Sequence, residues 1–240
     1  MKSAPVALIT GASRGIGRSV AVKLAGLGYD LALAARSLSG LEDTGRAAAD
    51  AGAGDWAAFP ADLAADGAGE DLVDAVLERF GRLDTLVNNA GAVFSGSVDD
   101  TGAEDWDRML SLNARSPFLL TRAALPALRR SDSATIVNIG SVVSFKGYEN
   151  QAAYAASKHA LAGWTKVLAR ELHNEGIRVH LVAPGGVATD LVRQVRPDID
   201  PSTLISPEDI ADAVGFLMTY RGNGAIDVLD IRREGKTPFA

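Results

Sequence analysis

Short apolar segments alternate along the chain with longer segments of helical periodicity, and this alternation limits the possible folds most strongly. The apolar segments are Val6–Ile9, Leu31–Ala34, Trp56–Phe59, Thr85–Val87, Ile136–Ile139, Val179–Val182 and Ile226–Leu229. The expected helices include Gly15–Leu27, Asp71–Phe80, Ala103–Arg130, Ala152–Asn174 and Pro207–Thr219. Strands that are apolar throughout and separated by helices predict a mostly parallel sheet of about seven strands with helices on both faces, a doubly wound α/β fold of the Rossmann type.

The chain carries enough apolar material for one large core. It has 240 residues, of which 47% are hydrophobic and 22% charged, an ordinary globular balance. No linker, low-complexity tract or repeat divides it, so we expect a single domain over residues 1–240. Right-handed crossovers would place the carboxyl ends of all strands at one edge of the sheet, where ligands bind in this architecture.

Composition argues against several classes of function. The net charge is −6 without a long basic cluster, so we expect no nucleic-acid partner. No apolar run reaches about 18 residues and no leader pattern opens the sequence, so we expect a soluble, cytoplasmic protein without a membrane partner. Cysteine is absent and the three histidines, His159, His173 and His180, lack metal-ligand spacing; we therefore expect no metal.

The first predicted strand leads directly into a glycine-rich turn. Its sequence is Thr10-Gly11-Ala12-Ser13-Arg14-Gly15-Ile16-Gly17, and a helix follows. The free N–H groups and the positive dipole end of such a helix favour a phosphate, and glycine lets pyrophosphate approach closely. The spacing G-x-x-x-G-x-G, placed after the first strand of an α/β chain, predicts a dinucleotide site. The residues expected at the cofactor are Gly11, Ser13, Arg14, Gly15, Ile16 and Gly17.

The end of the second predicted strand indicates which nicotinamide cofactor is preferred. An acidic residue here would accept the 2′-hydroxyl of NAD, but the sequence carries Arg36 and Ser37 instead. Arg36 and Arg14 could together bind a 2′-phosphate through charge-assisted hydrogen bonds, with no carboxylate opposing them. We therefore expect NADP(H) in preference to NAD(H). The alternative is that both arginines are solvated surface charges.

These features and others further along the chain resemble the short-chain dehydrogenase/reductases of standard length. The shared motifs are Thr10-Gly11-x-x-x-Gly15-x-Gly17, Asp62-Leu63, Asn88-Asn89-Ala90-Gly91, Asn113, Ser141, Tyr154-x-x-x-Lys158, and Pro184-Gly185 with Thr189. The resemblance implies that Asp62 and Leu63 lie near the adenine. It implies that Asn88, Ala90 and Gly91 line the cofactor channel and steady the central strand, with Asn89 among the cofactor contacts. It places Pro184, Gly185, Val187 and Thr189 beside the nicotinamide.

The residue types of the last motifs suit proton and hydride transfer. Tyr154 and Lys158 are four residues apart and share one helix face. A lysine ammonium, together with the charge of oxidised nicotinamide, would lower the tyrosine pKa from its reference value of about 10. Ser141, at the end of a strand, could donate a hydrogen bond to the substrate oxygen as charge develops there.

The resemblance implies a role for each of these groups. Tyr154 would be the general acid/base while hydride passes between nicotinamide and a carbonyl or secondary alcohol. Lys158 would also bind the nicotinamide ribose, and Asn113 would hold a water in a proton relay. A local helix kink is the competing interpretation of Asn113, because asparagine is a mediocre helix former.

The substrate side of the site is less constrained. Ser144, Lys146 and Tyr148 fall between a strand and a helix and are candidates for the pocket wall. The segment from Thr189 to Ser206 is short and polar, which predicts a small lid over an open pocket. Lys146, Arg193 and Arg196 could attract an anionic substrate or an acyl carrier, or they could be ordinary surface charges.

Two capping signals and the sequence near the last strand complete the expectations. Ser206-Pro207-Glu208-Asp209 predicts a helix start, and Thr101-x-x-Glu104 fits a capping box. The glycine pair common after the last strand of the resembled family is absent. We therefore expect a homodimer through the two long helices, with the homotetramer common in that family as the alternative.

Three functions remain open at this point. The first is an NADP(H)-dependent carbonyl reductase/alcohol dehydrogenase. The second is a 3-oxoacyl-thioester reductase, a narrower case of the same chemistry. The third is a cofactor-binding regulatory protein without catalysis, for which the full set Asn113, Ser141, Tyr154 and Lys158 would be unnecessary. The shared fold and catalytic set cannot choose among substrates.

Overall fold

A computed structural model describes residues 4–238. Within this range the strands are β1 (Val6–Thr10), β2 (Asp30–Ala35), β3 (Trp56–Pro60), β4 (Thr85–Asn88), β5 (Thr135–Ile139), β6 (Arg178–Pro184) and β7 (Val228–Ile231). The helices are α1 (Gly15–Gly26), α2 (Leu38–Ala51), α3 (Ala68–Phe80), α4 (Ala103–Leu110), α5 (Ser116–Leu128), α6 (Ala152–Leu172), α7 (Asp190–Val195) and α8 (Pro207–Thr219).

The strands of residues 4–238 form one seven-stranded parallel sheet in the order β3-β2-β1-β4-β5-β6-β7. The predicted doubly wound fold is thereby confirmed. The chain order reverses between β1 and β4, and such a reversal opens a crevice at the carboxyl ends of the strands. The glycine turn follows β1 and Asn89–Gly91 follow β4, so both line this crevice.

Apolar side chains cover both faces of the sheet. On one face α1, α2 and α8 contribute Val20, Leu24, Leu41, Ile210 and Val214 to the core. On the other face α3, α5 and α6 pack residues such as Leu72, Val76, Leu120, Leu128 and Leu172. Strands β1, β4 and β5 are buried along their full lengths, which explains why their sequences do not alternate between apolar and polar residues.

The predicted helix Ala103–Arg130 is interrupted. Helix α4 ends at Leu110, a π-helical turn covers Ser111–Arg115, and α5 begins at Ser116. Pro117 has no N–H to give to the Asn113 carbonyl, so a regular α-helical hydrogen bond is impossible there. The kink considered for Asn113 is therefore present as a widened turn.

The other boundaries differ by small amounts from those expected. β7 begins two residues later than predicted and pairs with the last four residues of β6, Leu181–Pro184. The helix start predicted at Ser206 is confirmed, and it takes the form of a capping box. The Ser206 hydroxyl accepts from the Asp209 N–H at 3.0 Å, while the Asp209 carboxylate accepts from the Ser206 N–H at 2.9 Å. The box at Thr101 is wrong: Gly102 precedes α4, and the Thr101 hydroxyl donates to the Ser97 carbonyl.

Within residues 4–238, none of the helices combines the length and apolar character that crossing a membrane requires. In that same range, histidine, aspartate and glutamate side chains do not gather in any group of three or more that could hold a metal ion. His180 is buried in β6, where its ring Nδ1 pairs with the Ile226 carbonyl at 2.5 Å.

Candidate active site

A cleft of about 1290 Å³ runs along the carboxyl edge of the sheet. This volume exceeds the roughly 300–1,000 Å³ of typical small-ligand pockets, so the cleft has room for a ligand of dinucleotide size. The glycine turn and the ends of β2 and β4 line one part of it. The ends of β5 and β6, with α6 and α7, line the other part.

The glycine turn is held against the end of β4 by the side chains of Thr10, the last residue of β1, and Asn89, the residue after β4. The Thr10 hydroxyl accepts from the Asn89 and Ala90 N–H groups, each at 3.0 Å, and the Asn89 amide donates to the Thr10 carbonyl at 2.8 Å. A Cβ on Gly17 would stand 2.3 Å from the Gly11 carbonyl oxygen, so only glycine allows α1 to start so close to the turn. Five of the six turn residues expected at the cofactor line the cleft: Gly11, Ser13, Arg14, Gly15 and Ile16. Gly17 is not part of the lining, because it packs against Gly11, and Arg18 lines the cleft beyond the turn.

Arg14, Arg36 and Ser37 lie together in the cleft lining, as the sequence predicts for a 2′-phosphate site. The Ser37 hydroxyl also caps α2 by accepting from the Gly40 N–H at 3.2 Å. The expectation that no carboxylate opposes the two arginines is wrong. The Arg14 guanidinium pairs with the Asp190 carboxylate at 3.3 Å, an interaction between residues far apart in the sequence.

The residues expected near the adenine follow β3. Asp62 and Leu63 both line the cleft. The Asp62 carboxylate accepts from the Ala64 N–H at 3.1 Å, and the Leu63 carbonyl accepts from the Ser116 hydroxyl at 2.7 Å. These bonds fix the loop after β3 against the start of α5, because Ser116 is the first residue of that helix.

Asn88 and Asn89 have different surroundings. Asn89, Ala90 and Gly91 line the cleft. Asn88 points into the core instead, where its amide donates to Thr121 of α5 at 2.9 Å and to Asn138 of β5 at 2.8 Å. Asn88 therefore steadies the central strand, as expected, but does not line the cofactor channel.

A buried row of polar side chains continues from Asn88 across the sheet. The Asn138 amide donates to the Thr165 hydroxyl of α6 at 2.8 Å, and Thr165 donates to the Leu161 carbonyl at 2.6 Å. We call Thr121, Asn88, Asn138 and Thr165 the polar ladder; each is at most 5% exposed. The ladder ties α5 and α6 to adjacent strands of the sheet, and α6 carries Tyr154 and Lys158.

Ser141 follows β5 and faces the cleft. Its hydroxyl accepts from the Val143 N–H at 3.3 Å, and its own N–H donates to the Ser144 hydroxyl at 3.2 Å. Ser144 is 2% exposed, so it holds the turn after β5 and is not part of the pocket wall, contrary to expectation. Lys146 and Tyr148 also lie outside the set of described residues that line the cleft.

Tyr154 stands beside Ser141 in the cleft wall, on the first turn of α6. Burial raises the pKa of its phenol above the ordinary value of 10.0, and the nearby Ser141 hydroxyl opposes part of that rise. We expected the Lys158 ammonium to lower the Tyr154 pKa. In the structure, burial and the Ser141 hydroxyl set the direction of the shift instead. The Lys158 ammonium lies 6.0 Å from the centre of the Tyr154 ring, at the outer limit of a cation–π contact.

Lys158 is buried, with 6% of its surface exposed. Its ammonium donates to the Ile139 carbonyl at the end of β5, at 2.9 Å. Burial lowers the pKa of Lys158 to about 8, because the charged form loses its hydration. The lysine is therefore fixed between β5 and α6 with its charge sensitive to pH in the range where many enzymes work.

Asn113 lies in the π-helical turn and is 1% exposed. Its side chain pairs with both backbone groups of Ala92, each at 2.9 Å, and donates to the Ser157 hydroxyl at 3.0 Å. Ser157 in turn donates to the Tyr154 carbonyl at 2.7 Å. Sequence reasoning gave Ser157 no role, although its position three residues after Tyr154 places it on the same helix face.

Gly91 lies close to the side chains of both Asn113 and Lys158. A Cβ on Gly91 would lie 2.7 Å from the Asn113 carboxamide oxygen and 3.8 Å from the Lys158 nitrogen. Only glycine leaves room for the contact of Asn113 with Ala92. The structure thus brings Asn113 and Lys158 close to the same short segment after β4.

The residues predicted to border the nicotinamide lie at the end of β6 and just after it. Pro184, Gly185, Val187 and Thr189 all line the cleft on the side of Tyr154 and Lys158. The Ala188 N–H donates to the Ile205 carbonyl at 2.8 Å, which anchors the start of the predicted lid to its end. The lid itself contains α7.

The lid arginines are paired with acidic residues. Arg196 binds Asp198 at 2.8 Å, and Arg193 approaches Asp190 at 3.7 Å. These contacts favour the interpretation of both arginines as ordinary surface charges.

Known proteins are similar to this chain in sequence and in architecture. The sequence model of the short chain dehydrogenase family matches residues 5–200. The 3-oxoacyl-(acyl-carrier-protein) reductase of Synechocystis sp. is 35% identical over 222 residues, which cover 90% of this chain and 90% of that protein.

Two solved structures extend the likeness to three dimensions. The alcohol dehydrogenase from the archaeon Thermococcus sibiricus, complexed with 5-hydroxy-NADP, has a TM-score of 0.89 and 29% identity, with 98% of each chain covered. A metagenomic short-chain oxidoreductase in complex with NADP has a TM-score of 0.83 and 35% identity, covering 97% of this chain and 98% of that one. Sequence, sheet order and cleft agree: this chain belongs to the short-chain dehydrogenase/reductase family of oxidoreductases.

Proposed function

We propose that the protein is an NADP(H)-dependent oxidoreductase that interconverts a carbonyl compound and a secondary alcohol. The observation that carries this proposal is the grouping of Ser141, Tyr154 and Lys158 on one wall of a dinucleotide-sized cleft. In this proposal residues 1–240 form one domain that binds the cofactor and carries the catalytic groups.

Tyr154 acts on the substrate oxygen as the general acid in reduction and as the general base in oxidation. Burial raises the pKa of its phenol, so the group keeps its proton at neutral pH and is ready to donate it in the reducing direction. Ser141, next to Tyr154, donates a hydrogen bond to the same oxygen and stabilises the charge that develops there.

Lys158 and Asn113 support this proton transfer. Lys158, with a pKa of about 8, carries its positive charge at neutral pH and binds the nicotinamide ribose. Asn113 steadies the segment after β4 through Ala92 and supports a relay water next to Lys158. When bound, the nicotinamide supplies or accepts the hydride, and its oxidised ring adds positive charge that favours the phenolate.

The cofactor assignment rests on the residues around the glycine turn and on the related structures. Arg14, Arg36 and Ser37 provide two cations and a hydroxyl for a 2′-phosphate. Asp62 and Leu63 would hold the adenine, and the turn would hold the pyrophosphate at the start of α1. Two similar structures contain NADP or 5-hydroxy-NADP, which supports NADP(H) in preference to NAD(H).

The test is the pair of variants Tyr154→Phe and Tyr148→Phe. Both remove one phenolic oxygen, but Tyr148 is 52% exposed and lies outside the cleft lining. We expect Tyr154→Phe to lower kcat/KM for ketone reduction by about a hundredfold or more while NADPH still binds. Tyr148→Phe should keep wild-type turnover. Turnover by Tyr154→Phe at the wild-type rate would contradict the mechanism, and binding without turnover by the wild type would favour a non-catalytic regulatory role.

A second candidate, a 3-oxoacyl-thioester reductase, is supported by the names of the curated relatives. The pairing of Arg193 with Asp190 and of Arg196 with Asp198 speaks against a strongly basic platform for an acidic carrier protein. Comparing kcat/KM for a 3-oxoacyl-coenzyme A with that for a free ketone of similar chain length separates the two functions. A preference of tenfold or more for the thioester would favour the second.

We further propose that the enzyme works in the cytoplasm on small molecules and forms a homo-oligomer. Phe118 of α5 and Val167 of α6 are 47% and 54% exposed, and Trp106 of α4 is 40% exposed. Their helices are those expected to form the dimer, although a tetramer is also consistent with the family. Light scattering at micromolar concentration should show a dimer or tetramer, and a monomer would contradict this proposal.

A further inference from the structure

The ion pair between Arg14 and Asp190 joins the two sides of the cleft mouth. Arg14 belongs to the glycine turn, and Asp190 is the first residue of α7 in the lid segment. One guanidinium nitrogen, Nη1, lies 3.3 Å from the carboxylate Oδ2. Both side chains line the cleft, with 64% and 49% of their surfaces exposed. The pair can therefore exchange partners when a charged ligand arrives.

The lid approaches the glycine turn closely at this point. The Thr189 methyl group would be 3.1 Å from a Cβ placed on Gly15. Asp190 follows immediately, so its position is set by the same contact. The carboxylate is held beside the arginine expected to bind the 2′-phosphate.

We propose that Asp190 is a specificity-determining residue that competes with the 2′-phosphate of NADP(H) for Arg14 and so limits the preference for NADP(H) over NAD(H). This inference rests on the proposed cofactor. A 2′-phosphate must displace the Asp190 carboxylate from Arg14 before it can pair with that guanidinium, whereas the uncharged 2′-hydroxyl of NAD(H) does not compete for Arg14.

A second cation makes this exchange possible at low cost. Arg193 lies one helical turn after Asp190, and its guanidinium is 3.7 Å from the other carboxylate oxygen, Oδ1. When Arg14 turns to a phosphate, Asp190 still has Arg193 as a partner. The lid thus keeps its own ion pair while it releases the arginine of the glycine turn.

The other acidic residues of the cleft lining have different partners. Asp43 pairs with Arg46, Asp62 accepts from the Ala64 N–H, and Glu208 accepts from the Ser19 hydroxyl. Among the described residues that line the cleft, Asp190 is the acidic residue paired with Arg14. Asp43→Asn is therefore a matched variant with the same charge change in the same cleft.

The experiment measures dissociation constants of NADPH and NADH by nucleotide fluorescence for the wild type and Asp190→Asn. Exposed ion pairs contribute about 0.2–1 kcal/mol, so we expect NADPH to bind about twofold to fivefold more tightly to Asp190→Asn. NADH binding should change by much less. Asp43→Asn and Asp198→Asn, the latter outside the cleft lining, should show smaller changes in the ratio of the two constants.

A double-mutant cycle with Arg14→Gln decides whether the effect passes through Arg14. In the Arg14→Gln background, Asp190→Asn should leave the NADPH constant unchanged. The proposal is overturned if Asp190→Asn does not tighten NADPH binding, if NADH tightens equally, or if the gain persists without Arg14. A wild type that binds no NADPH would overturn the proposed cofactor as well, whereas intact binding without ketone turnover would contradict only the proposed reaction.

Discussion

The inner wall of the cleft and its mouth are held by different forces. Behind the wall, the polar ladder joins α5, β4, β5 and α6 through buried hydrogen bonds of 2.8–2.9 Å. At the mouth, Arg14, Asp190, Arg193, Arg196 and Asp198 form ion pairs that are about half exposed or more. A buried polar group that loses its partner costs far more than an exposed pair contributes. The wall should therefore keep its geometry while the mouth rearranges around ligands.

The largest effect is expected from breaking the ladder at its centre. Asn138→Leu removes the acceptor of the Asn88 amide and the donor to Thr165, and leaves buried polar groups unpaired. We expect the free energy of unfolding to fall by about 2–4 kcal/mol, measured by urea denaturation. The exposed Asn223→Leu serves as the control. Equal stability of the two variants would show that the buried ladder contributes no more to stability than an exposed asparagine does.

The charge of Lys158 gives the wall a pH-dependent contribution to stability. Its pKa in the folded protein is about 8, below the ordinary value of 10.5, so the unfolded chain binds more protons between these two values. The free energy of unfolding should consequently rise with pH across this window, by about 1–3 kcal/mol in total. Below pH 8 the cost of burying the charge is present in full.

Denaturant curves at several pH values test this contribution. Lys158→Met should lose the rise between pH 8 and 10, whereas Lys166→Met, which changes an exposed lysine on the same helix, should keep it. The same dependence in the wild type and in Lys158→Met would show that burial of Lys158 is not its cause.

A smaller effect is expected at the α6 end of the ladder. Thr165→Val removes the hydroxyl that accepts from Asn138 but keeps the shape of the side chain. We expect a loss of about 1–2 kcal/mol in the free energy of unfolding, which Thr165→Ser should largely avoid. If valine and serine were equally destabilising, packing of the methyl group would be the cause instead of the hydrogen bond.

The smallest effect is expected at the mouth. Asp198→Asn removes the partner of Arg196 in an exposed pair, where water screens both charges. The urea midpoint should be the same as that of the wild type within measurement error. A clear loss of stability would show that the mouth is as firmly fixed as the wall.

Local sequence signals were sufficient to predict the positions of those site residues that lie at the end of a single strand or on a single helix. The glycine turn, Asn89–Gly91, Ser141 and Tyr154 with Lys158 all lie at the carboxyl edge, because the strands before them are parallel. The cap at Ser206 was also predictable, since all its atoms lie within four residues. By contrast, Thr101 matched the capping pattern, but its hydroxyl donates to the Ser97 carbonyl. Ser97 is an equally local partner, and the capping pattern does not include it.

Interactions between distant segments could not be predicted in this way. Asp190 lies 176 residues from Arg14, and nothing in either local sequence indicates their pairing. The ladder joins Asn88 to Asn138 across 50 residues. The interruption at Asn113 had a local cause, Pro117, but its form as a π-helical turn depends on the contact with Ala92.

That turn also changes the rotational phase of the helix that contains it. A π-helical turn holds about one residue more than a regular turn, so each later side chain is rotated by about 100° from the direction that α4 alone would dictate. Helix α4 packs against α6, and α5 packs against α3. The extra residue of the π-helical turn therefore lets α4 face α6 while α5 faces α3. Deleting one residue from Ser111–Arg115 would rotate α5 and misalign its contacts with α3.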